Sequence, residues 1–507
     1  MNQAKRQSRF ERGDDVAVMK FGGTSVEDAA AIRRLISIVR SRLGARPVVV
    51  VSALAKVTDQ LLEAGEAAAS GRLGAALASV RDIYVRHEEL ADALVEGSVY
   101  SALDRELRCE FRALESLLHD LESSRQLDLR SQDQLLSFGE CFSSRLVKEA
   151  LSEAGVNAAH VDARVCIVTD RHHGHAAPLW EECNQRIQDA MGPLLSFGQV
   201  PVLGGFVAST LDGVATTLGR GGSDFTAAIV GAALHATRIE IWTDVDGIMT
   251  ADPKLCPDAR LIQRMTFDEA EQLALCGAKV LHPATLAPAK RENIPVWVLN
   301  SRRPESEGTE ISSWARSGDA ASAIVAKFNI TAIEIEAAHA VDAELLRAAL
   351  EVFEQHSCPV EVIAMSLGRL SLLAASATAL PSIAKNLRDL ANVRWENQKA
   401  LVSVVGELVR RQPELGARVF TAVADMDVRV FGQLLSQGSS DRTISFLVEE
   451  SKVGELVQRL HALLFSKPEA PADWGAVSVA YCQAGFGPRS EAPVDRRSGR
   501  RDDSLPA

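Results

Sequence analysis

No stretch of the 507-residue chain approaches the run of about 18 apolar residues that a membrane-spanning helix needs, so no membrane association is expected. The first residues, Met1 to Asp15, are polar and charged and lack the apolar core of a secretory signal. Paired cysteines are missing too. Cys109, Cys141, Cys166, Cys183, Cys256, Cys276, Cys358 and Cys482 stand singly, with no CxxC spacing, which leaves neither a structural zinc site nor a disulfide framework and fits reduced thiols in a cytoplasmic protein. Positive charge is not in excess: 55 Lys and Arg against 67 Asp and Glu give a net charge of -12. That balance argues against nucleic acid as the main partner, while a few local cations would still serve an anionic small substrate. His172, His173 and His175 share a short loop, but no carboxylate or cysteine stands at ligand spacing, and no metal-binding residue is assigned.

What remains is an ordinary globular balance, 47% apolar and 24% charged, on a chain long enough for two or three domains. Up to about residue 310, short β-branched runs (Val16–Phe21, Pro47–Ser52, Val200–Ala208, Arg238–Asp244) alternate with amphipathic stretches (Val26–Leu43, Thr58–Ala69, Ser131–Ala154, Asp224–Leu234). Strands alternating with helices imply a mainly parallel sheet covered on both faces, an α/β fold. Residues 74–124 carry helical periodicity without strand signals and read as an insertion that forms one wall of a cleft. The Arg-, Pro- and Ser-rich stretch Arg302–Gly318 marks a boundary. Beyond it, two similar β- and α-patterned units follow in tandem, and after Cys482 the composition becomes that of a disordered tail.

Five motifs carry the chemistry. Lys20-Phe21-Gly22-Gly23-Thr24-Ser25 lies between a strand and a helix, where a cation, close-approaching glycine backbone and the helix N–H groups can meet a phosphate. Lys precedes the glycines, so this is not a Walker A loop; the alternative is a plain turn with a surface lysine. Thr216-Thr217-Leu218-Gly219-Arg220-Gly221-Gly222-Ser223-Asp224 leads into another helix. Arg220 there suits a bidentate pair with a carboxylate or phosphate, and Asp224 suits a helix start and the ordering of cations, or only a cap. Gly139 of Ser137-Phe138-Gly139-Glu140 costs about 1 kcal/mol relative to alanine in mid-helix, which implies a packing or ligand reason; Glu140 then either faces a ligand amine or is solvated. Trp242-Thr243-Asp244-Val245-Asp246-Gly247, with Asp252-Pro253-Lys254, leaves a strand at an Asp-Gly turn, where α/β sheets bind ligands. Gly277-Ala278-Lys279-Val280-Leu281-His282-Pro283 offers one more cation.

Together, in this order and spacing, the motifs resemble the aspartate kinases of the amino acid kinase family, strongly over residues 16 to about 300. The resemblance implies a three-layer αβα sandwich with a mainly parallel sheet, followed by two α+β ACT (ferredoxin-like) domains. It divides the chain into a flexible 1–14, a catalytic domain 15–310, regulatory units 320–400 and 401–482, and a disordered 483–507. It implies ATP and Mg²⁺ as cofactors and L-aspartate as substrate, with Lys20, Arg220 and Asp224 catalytic. Ser52 and Thr58 of Ser52-Ala53-Leu54-Ala55-Lys56-Val57-Thr58, together with Glu140 and Arg220, would hold aspartate. Lys20, Gly22, Gly23, Thr243, Asp244, Met249, Lys254, Lys279 and Val280 would line the nucleotide site, with Met249 standing where the family usually has an aromatic residue and Lys254 where arginine is common. It further implies a homodimer or dimer of dimers through the ACT units and an amino acid effector, lysine or threonine. The Ala337–Ala340 and Asp441–Thr443 segments depart from the lysine-sensitive pattern, so insensitivity to any amino acid stays open. A fused homoserine dehydrogenase activity is not expected. Phosphorylation of another carboxylate, and a non-catalytic amino acid sensor, are the alternatives.

Overall fold

The computed structural model describes residues 15–465, apart from 279–280, 282, 315–322, 337–340, 357, 367, 376–378, 389–390, 407–412, 427 and 433–442. Lys279, Val280 and the expected terminal segments 1–14 and 483–507 thus lie outside the described residues.

In chain order the first strands are β1 (Ala17–Phe21), β2 (Pro47–Val51), β3 (Ala158–His160), β4 (Val168–Thr169), β5 (Val200–Gly204), β6 (Val207–Thr210), β7 (Ala215–Thr217), β8 (Arg238–Thr243), β9 (Arg264–Met265), β10 (Val296–Asn300) and β11 (Thr309–Ile311). One eight-stranded sheet takes the order β3-β5-β2-β1-β8-β10-β11-β9, and β4, β6 and β7 form a small sheet beside it. From β3 to β10 the pairing is parallel. The run Pro47-Val48-Val49-Val50-Val51 is buried throughout, as a strand covered on both faces must be.

Side-chain alternation sorts the strand residues into two cores. Met19, Phe21, Val49 and Val51 pack with α1 (Ala29–Arg40), α2 (Val57–Ala69), α3 (Leu73–Leu94), α4 (Gly97–Ser124) and α5 (Leu129–Glu153). Val18, Val48 and Val50 pack on the other side with α6 (Trp180–Ser196), α7 (Gly222–Ala233), α8 (Phe267–Leu275) and α9 (Pro283–Arg291). This is the expected three-layer sandwich. Lys20 shares the Val18 face of β1, the face that α7 covers.

Three details differ from the sequence reading. The Val200–Ala208 run is two strands, because Phe206 takes a left-handed φ of 64° between β5 and β6. α7 packs where the strand would continue: a Cβ on Gly205 would lie 2.6 Å from that of Ser223, and the Phe206 N–H donates to Thr226 Oγ1 at 3.0 Å. Residues 74–124, read as a cleft wall, contribute no lining residue to the cleft around Lys20. They act at one remove, through Arg86, which donates to the Ala55 carbonyl at 2.7 Å and the Glu27 carbonyl at 2.9 Å. The strands β3, β4, β7 and β9 to β11 are additions; of these β10, Val296-Trp297-Val298-Leu299-Asn300, carries the five-residue apolar-rich run that reads as a strand.

Downstream, β12 (Ala323–Glu336), β13 (Val360–Ser366), β14 (Arg369–Ala375), β15 (Asn392–Val405), β16 (Arg429–Gly432) and β17 (Thr443–Glu449) form one six-stranded antiparallel sheet, β13-β14-β12-β15-β17-β16. The accompanying helices are α10 (Ala343–Gln355), α11 (Leu380–Arg388), α12 (Pro413–Ala422) and α13 (Val453–Phe465). The long β12 and β15 run through both halves. Ile330–Glu336 pairs with β14 and with Asn392–Lys399, while Ala323–Lys327 pairs with Leu401–Val405. The second unit therefore takes its outer strand from ahead of the first, and residue 400 falls inside β15. Among the described residues no helix is long and apolar enough to cross a membrane.

Candidate active site

Parallel strands end together, and the register Val51–Phe21–Trp242–Leu299 aligns the carboxyl ends of β2, β1, β8 and β10. The ladder continues one residue further: Gly22 N–H donates to the Trp242 carbonyl (3.1 Å), Ser52 N–H to Phe21 (3.0 Å) and Gly205 N–H to Val51 (2.8 Å). Motifs far apart in the chain are thereby brought to one edge, the place where such sheets bind ligands.

There a cleft of about 570 Å³ is lined by Lys20, Gly23, Ser52, Thr58, Glu140, Arg220 and Asp224, among others. Lys20 Nζ lies 2.6 Å from Asp224 Oδ1, with each side chain 12% exposed. Arg220 is exposed and makes no ion pair among the described residues. Gly219 and Gly221, at φ 73° and 74°, need glycine for their left-handed turns. They deliver the chain to α7, whose N-cap Gly221 makes no side-chain hydrogen bond and whose first residues line the cleft. The anion-suited helix start is this one. The one expected after Lys20 is displaced: Gly23–Ser25 is a 3₁₀ turn, and α1 begins at Ala29 with Asp28 already accepting from Ala31 N–H at 2.7 Å.

Glu140 is buried, 3% exposed, and its Oε2 has no hydrogen-bond partner. Burial pushes its carboxyl up to about 8, against the opposing pull of the Ala53 and Glu140 backbone N–H groups and of the Lys20 charge. The solvated alternative for Glu140 is thus excluded. Gly139 has a packing reason: a Cβ would come within 2.9 Å of that of Ala53, so only glycine lets α5 meet the Ser52–Ala55 loop. Gly204 abuts Glu140 in the same manner, at 2.9 Å.

Of the expected nucleotide residues, Lys20 and Gly23 line this cleft and the other described ones do not. Gly22 stands beside it, hydrogen-bonded to Trp242. Thr243 ends β8, and Asp244 and Lys254 are exposed on the loop beyond, where Met249 bridges to Leu261. Asp246 accepts from Asn300 Nδ2 at 2.7 Å and pairs with Arg303, anchoring that loop. Helix α13 docks on it, with His461 Nε2 2.9 Å from Thr250 Oγ1 and Gln458 Nε2 2.9 Å from the Leu255 carbonyl.

The lining residues that escaped the sequence reading as functional candidates include Lys56, which holds a left-handed φ of 71° at the start of α2, Phe206, and Thr217. Lys56 was legible as a cation inside the Ser52–Thr58 loop; Phe206 was hidden inside a strand pattern. His173 also has a carboxylate, unseen in the spacing, because Asp133 Oδ2 lies 2.7 Å from its Nδ1 forty residues away.

Residues 15–300 match the amino acid kinase family, and residues 402–464 match an ACT domain. Aspartokinase 2, chloroplastic, of Arabidopsis thaliana is 33% identical over 88% of this chain and 84% of its own length. The lysine-sensitive aspartokinase 3 of Escherichia coli strain K12 is 32% identical over 89% and 99%. The crystal structure of E. coli aspartokinase III in complex with aspartate and ADP superposes with a TM-score of 0.76, at 31% identity, over 89% of this chain and all of that one. With the motif residues gathered at the carboxyl edge of such a sheet, the chain belongs to the amino acid kinase family and, within it, to the aspartokinases.

Proposed function

We propose that the chain transfers the γ-phosphoryl group of ATP to the β-carboxylate of L-aspartate, giving ADP and 4-phospho-L-aspartate, the entry step to lysine, threonine and methionine. The observation that carries this reading is the buried Glu140, whose unpartnered Oε2 shares a cleft with the exposed Arg220 and the Lys20–Asp224 pair. An amino acid carrying a second carboxylate needs those three things: an anion for its ammonium, a cation for its α-carboxylate and a cation beside the reacting end. The E. coli relative bound to aspartate and ADP supports the same substrates.

In this mechanism the acceptor needs no general base, since a carboxylate of pKa about 3.9 is already ionised at neutral pH. The barrier is the approach of two anions, so positioning and charge neutralisation carry the rate. Lys20 Nζ meets the transferring phosphoryl oxygens, and Asp224 fixes its direction from 2.6 Å. The uncapped start of α7 adds backbone N–H groups. Arg220 clamps the α-carboxylate, Glu140 takes the ammonium, and Ser52 and Thr58 offer hydroxyls. Thr243, Asp244, Met249 and Lys254 serve the nucleotide beyond β8, and Lys279 and Val280 belong to the same assignment.

Among the described residues no three His, Cys, Asp or Glu side chains converge to hold a metal by themselves. Mg²⁺ keeps several waters and needs only one or two carboxylates from a protein, and Asp224, which lines the cleft, would be the residue to hold it when it arrives with the nucleotide. Its chemistry would be neutralisation of phosphate charge.

A pH dependence follows from Glu140. With its carboxyl raised to about 8, the free cleft holds a neutral acid at pH 7, whereas the bound ammonium favours the carboxylate. Aspartate binding therefore releases a proton below pH 8. Its KM is expected to fall up to about tenfold per pH unit as pH rises toward 8 and to level off above, while the KM for ATP stays flat. A KM for aspartate independent of pH from 6 to 8.5 would remove Glu140 as the ammonium receptor. Substrate class is tested by offering aspartate, glutamate and N-acetylglutamate separately: aspartate is expected to be preferred, and N-acetylglutamate, which has no ammonium, to be refused. Faster turnover of either alternative would overturn the proposal.

The same reading includes a homodimer, or dimer of such dimers, through the ACT sheet. Among the described residues its edge strand β13 has one neighbouring strand, and it exposes Ile363 (45%) and Met365 (54%), an edge suited to strand addition. Light scattering at assay concentration is expected to give a multiple of 54.6 kDa, and the mass of a single chain would exclude it. For the effector, the lysine-sensitive E. coli relative makes lysine the first to test and threonine the second.

A further inference from the structure

Asp133 is a buried carboxylate that the assignments above leave unused. It sits on α5, seven residues before Glu140, so two helical turns place the two acids on one face, roughly 10 Å apart along the axis. Its Oδ1 accepts from Thr217 Oγ1 at 2.5 Å and from the Gly174 N–H at 3.1 Å. Its Oδ2 lies 2.7 Å from His173 Nδ1 and 3.0 Å from the Gly174 N. The side chain is 1% exposed.

Everything Asp133 holds leads to Arg220. Thr217 ends β7, three residues before Arg220. Gly174 backs directly on the turn between them, since a Cβ on Gly219 would stand 3.1 Å from the Gly174 carbonyl oxygen. The loop 170–177 that carries Gly174 is fastened to β7 a second time, where the Ala176 N–H donates to the Thr217 carbonyl at 2.9 Å. It is stiffened internally by Asp170, which accepts from the N–H groups of His172 and Ala177 at 3.1 Å. Gly174, Thr217, Gly219 and Arg220 line the same cleft as Glu140. Among the described residues Arg220 has no ion pair to set its place, so there the turn carrying it is positioned through the backbone.

We infer that Asp133 is a positioning residue that sets the separation between Arg220 and Glu140, and so tunes the cleft to the span between the α-carboxylate and α-ammonium of one amino acid. One rigid helix then carries both the ammonium receptor and the anchor of the carboxylate clamp. The inference rests on the substrate reading given under Proposed function. A buried carboxylate suits the task better than an amide, because it accepts from Thr217, His173 and Gly174 at once, whereas an asparagine turns one oxygen into a donor facing donors.

The test is the Asp133→Asn variant of the full chain, assayed with aspartate and ATP. Its KM for aspartate is expected to rise roughly tenfold to a hundredfold with the KM for ATP within about twofold, since Lys20 and the nucleotide loop hang from other strands. Discrimination against succinate, which keeps both carboxylates but lacks the ammonium, is expected to narrow by a similar factor. Thr217→Val, which deletes one donor without burying a mismatched group, should move both readouts the same way but less; it also decides the matter if Asp133→Asn does not fold. A merely structural role would lower the active fraction, reducing kcat with both KM values unchanged, and that result in either folded variant overturns the inference. If wild type itself fails to phosphorylate aspartate, the substrate reading falls first, and the two failures are thereby distinguished.

Discussion

Lys20→Ala is expected to reduce kcat about a thousandfold, the scale on which single cations that neutralise a transferring phosphoryl group act. The circular dichroism spectrum should not change, because Lys20 faces the cleft rather than the hydrophobic core. Asp224 is its one ion-pair partner among the described residues, at 2.6 Å. A second readout ties the effect to the cleft. The Lys20 charge helps to hold the Glu140 carboxyl down, so removing it should push the pH at which the aspartate KM levels off above about 8. Near-normal turnover in a folded Lys20→Ala protein would remove the residue from the mechanism.

The largest effect on stability is expected at Glu240, which lies beside Met19 of β1 in the adjoining strand of the same sheet. Its side chain is fully buried in β8, where it pairs with Arg238 and, at 3.2 Å, with Arg42, and accepts from Trp242 Nε1 at 2.9 Å. Glu240→Ala removes the carboxylate shared by Arg238, 13% exposed, and Arg42, 32% exposed. Breaking a buried pair from one side costs about 3–5 kcal/mol, to be read from urea unfolding. Replacing Arg238 and Glu240 together with leucine should restore part of that loss, because the more buried of the two guanidinium charges is then gone as well. The damage should reach the active site: Trp242 stacks on Phe21, and its carbonyl holds the Gly22 N–H at 3.1 Å. A loss below about 1 kcal/mol for Glu240→Ala would mean that solvent reaches the arginines and the network is ornamental.

How much of this was legible in the sequence differs by layer. Strands covered on both faces announce themselves, and β1, β2 and β8 lie within two residues of where their β-branched runs place them. The broken β5–β6 run is the exception, because the left-handed turn at Phe206 is imposed by α7 packing across the chain and leaves no local mark. The cleft followed from chemistry: lysine before paired glycines, arginine between glycines, and a mid-helix Gly-Glu each had a functional reading, and Lys20, Arg220 and Glu140 do share one space. The residues proposed for the nucleotide were harder, since Thr243 to Lys254 run along a loop whose course is fixed by Asp246, Asn300 and Arg303 from two strand ends. Asp133 was out of reach. Its meaning lies in contacts to His173, Gly174 and Thr217, forty to eighty-four residues away, and only its spacing of two helical turns from Glu140 hinted at a shared face.

The C-terminal part shows the same limit. Its strands and helices were readable one by one, but the sharing of β12 and β15 between both halves was not, because a 14-residue strand with a mid-strand register shift looks like two shorter ones. Docking of α13 on the loop at Thr250 gives that half a direct hold on the segment assigned to the nucleotide.

The central claim is best tested by trapping the product: purified protein with ATP, Mg²⁺, aspartate and hydroxylamine, scored for aspartyl hydroxamate. Hydroxylamine attacks an acyl phosphate and not a carboxylate, so a hydroxamate that requires both ATP and aspartate is the predicted result. Folded protein that binds ATP but yields no hydroxamate with aspartate, and yields one with another carboxylic acid, would contradict it.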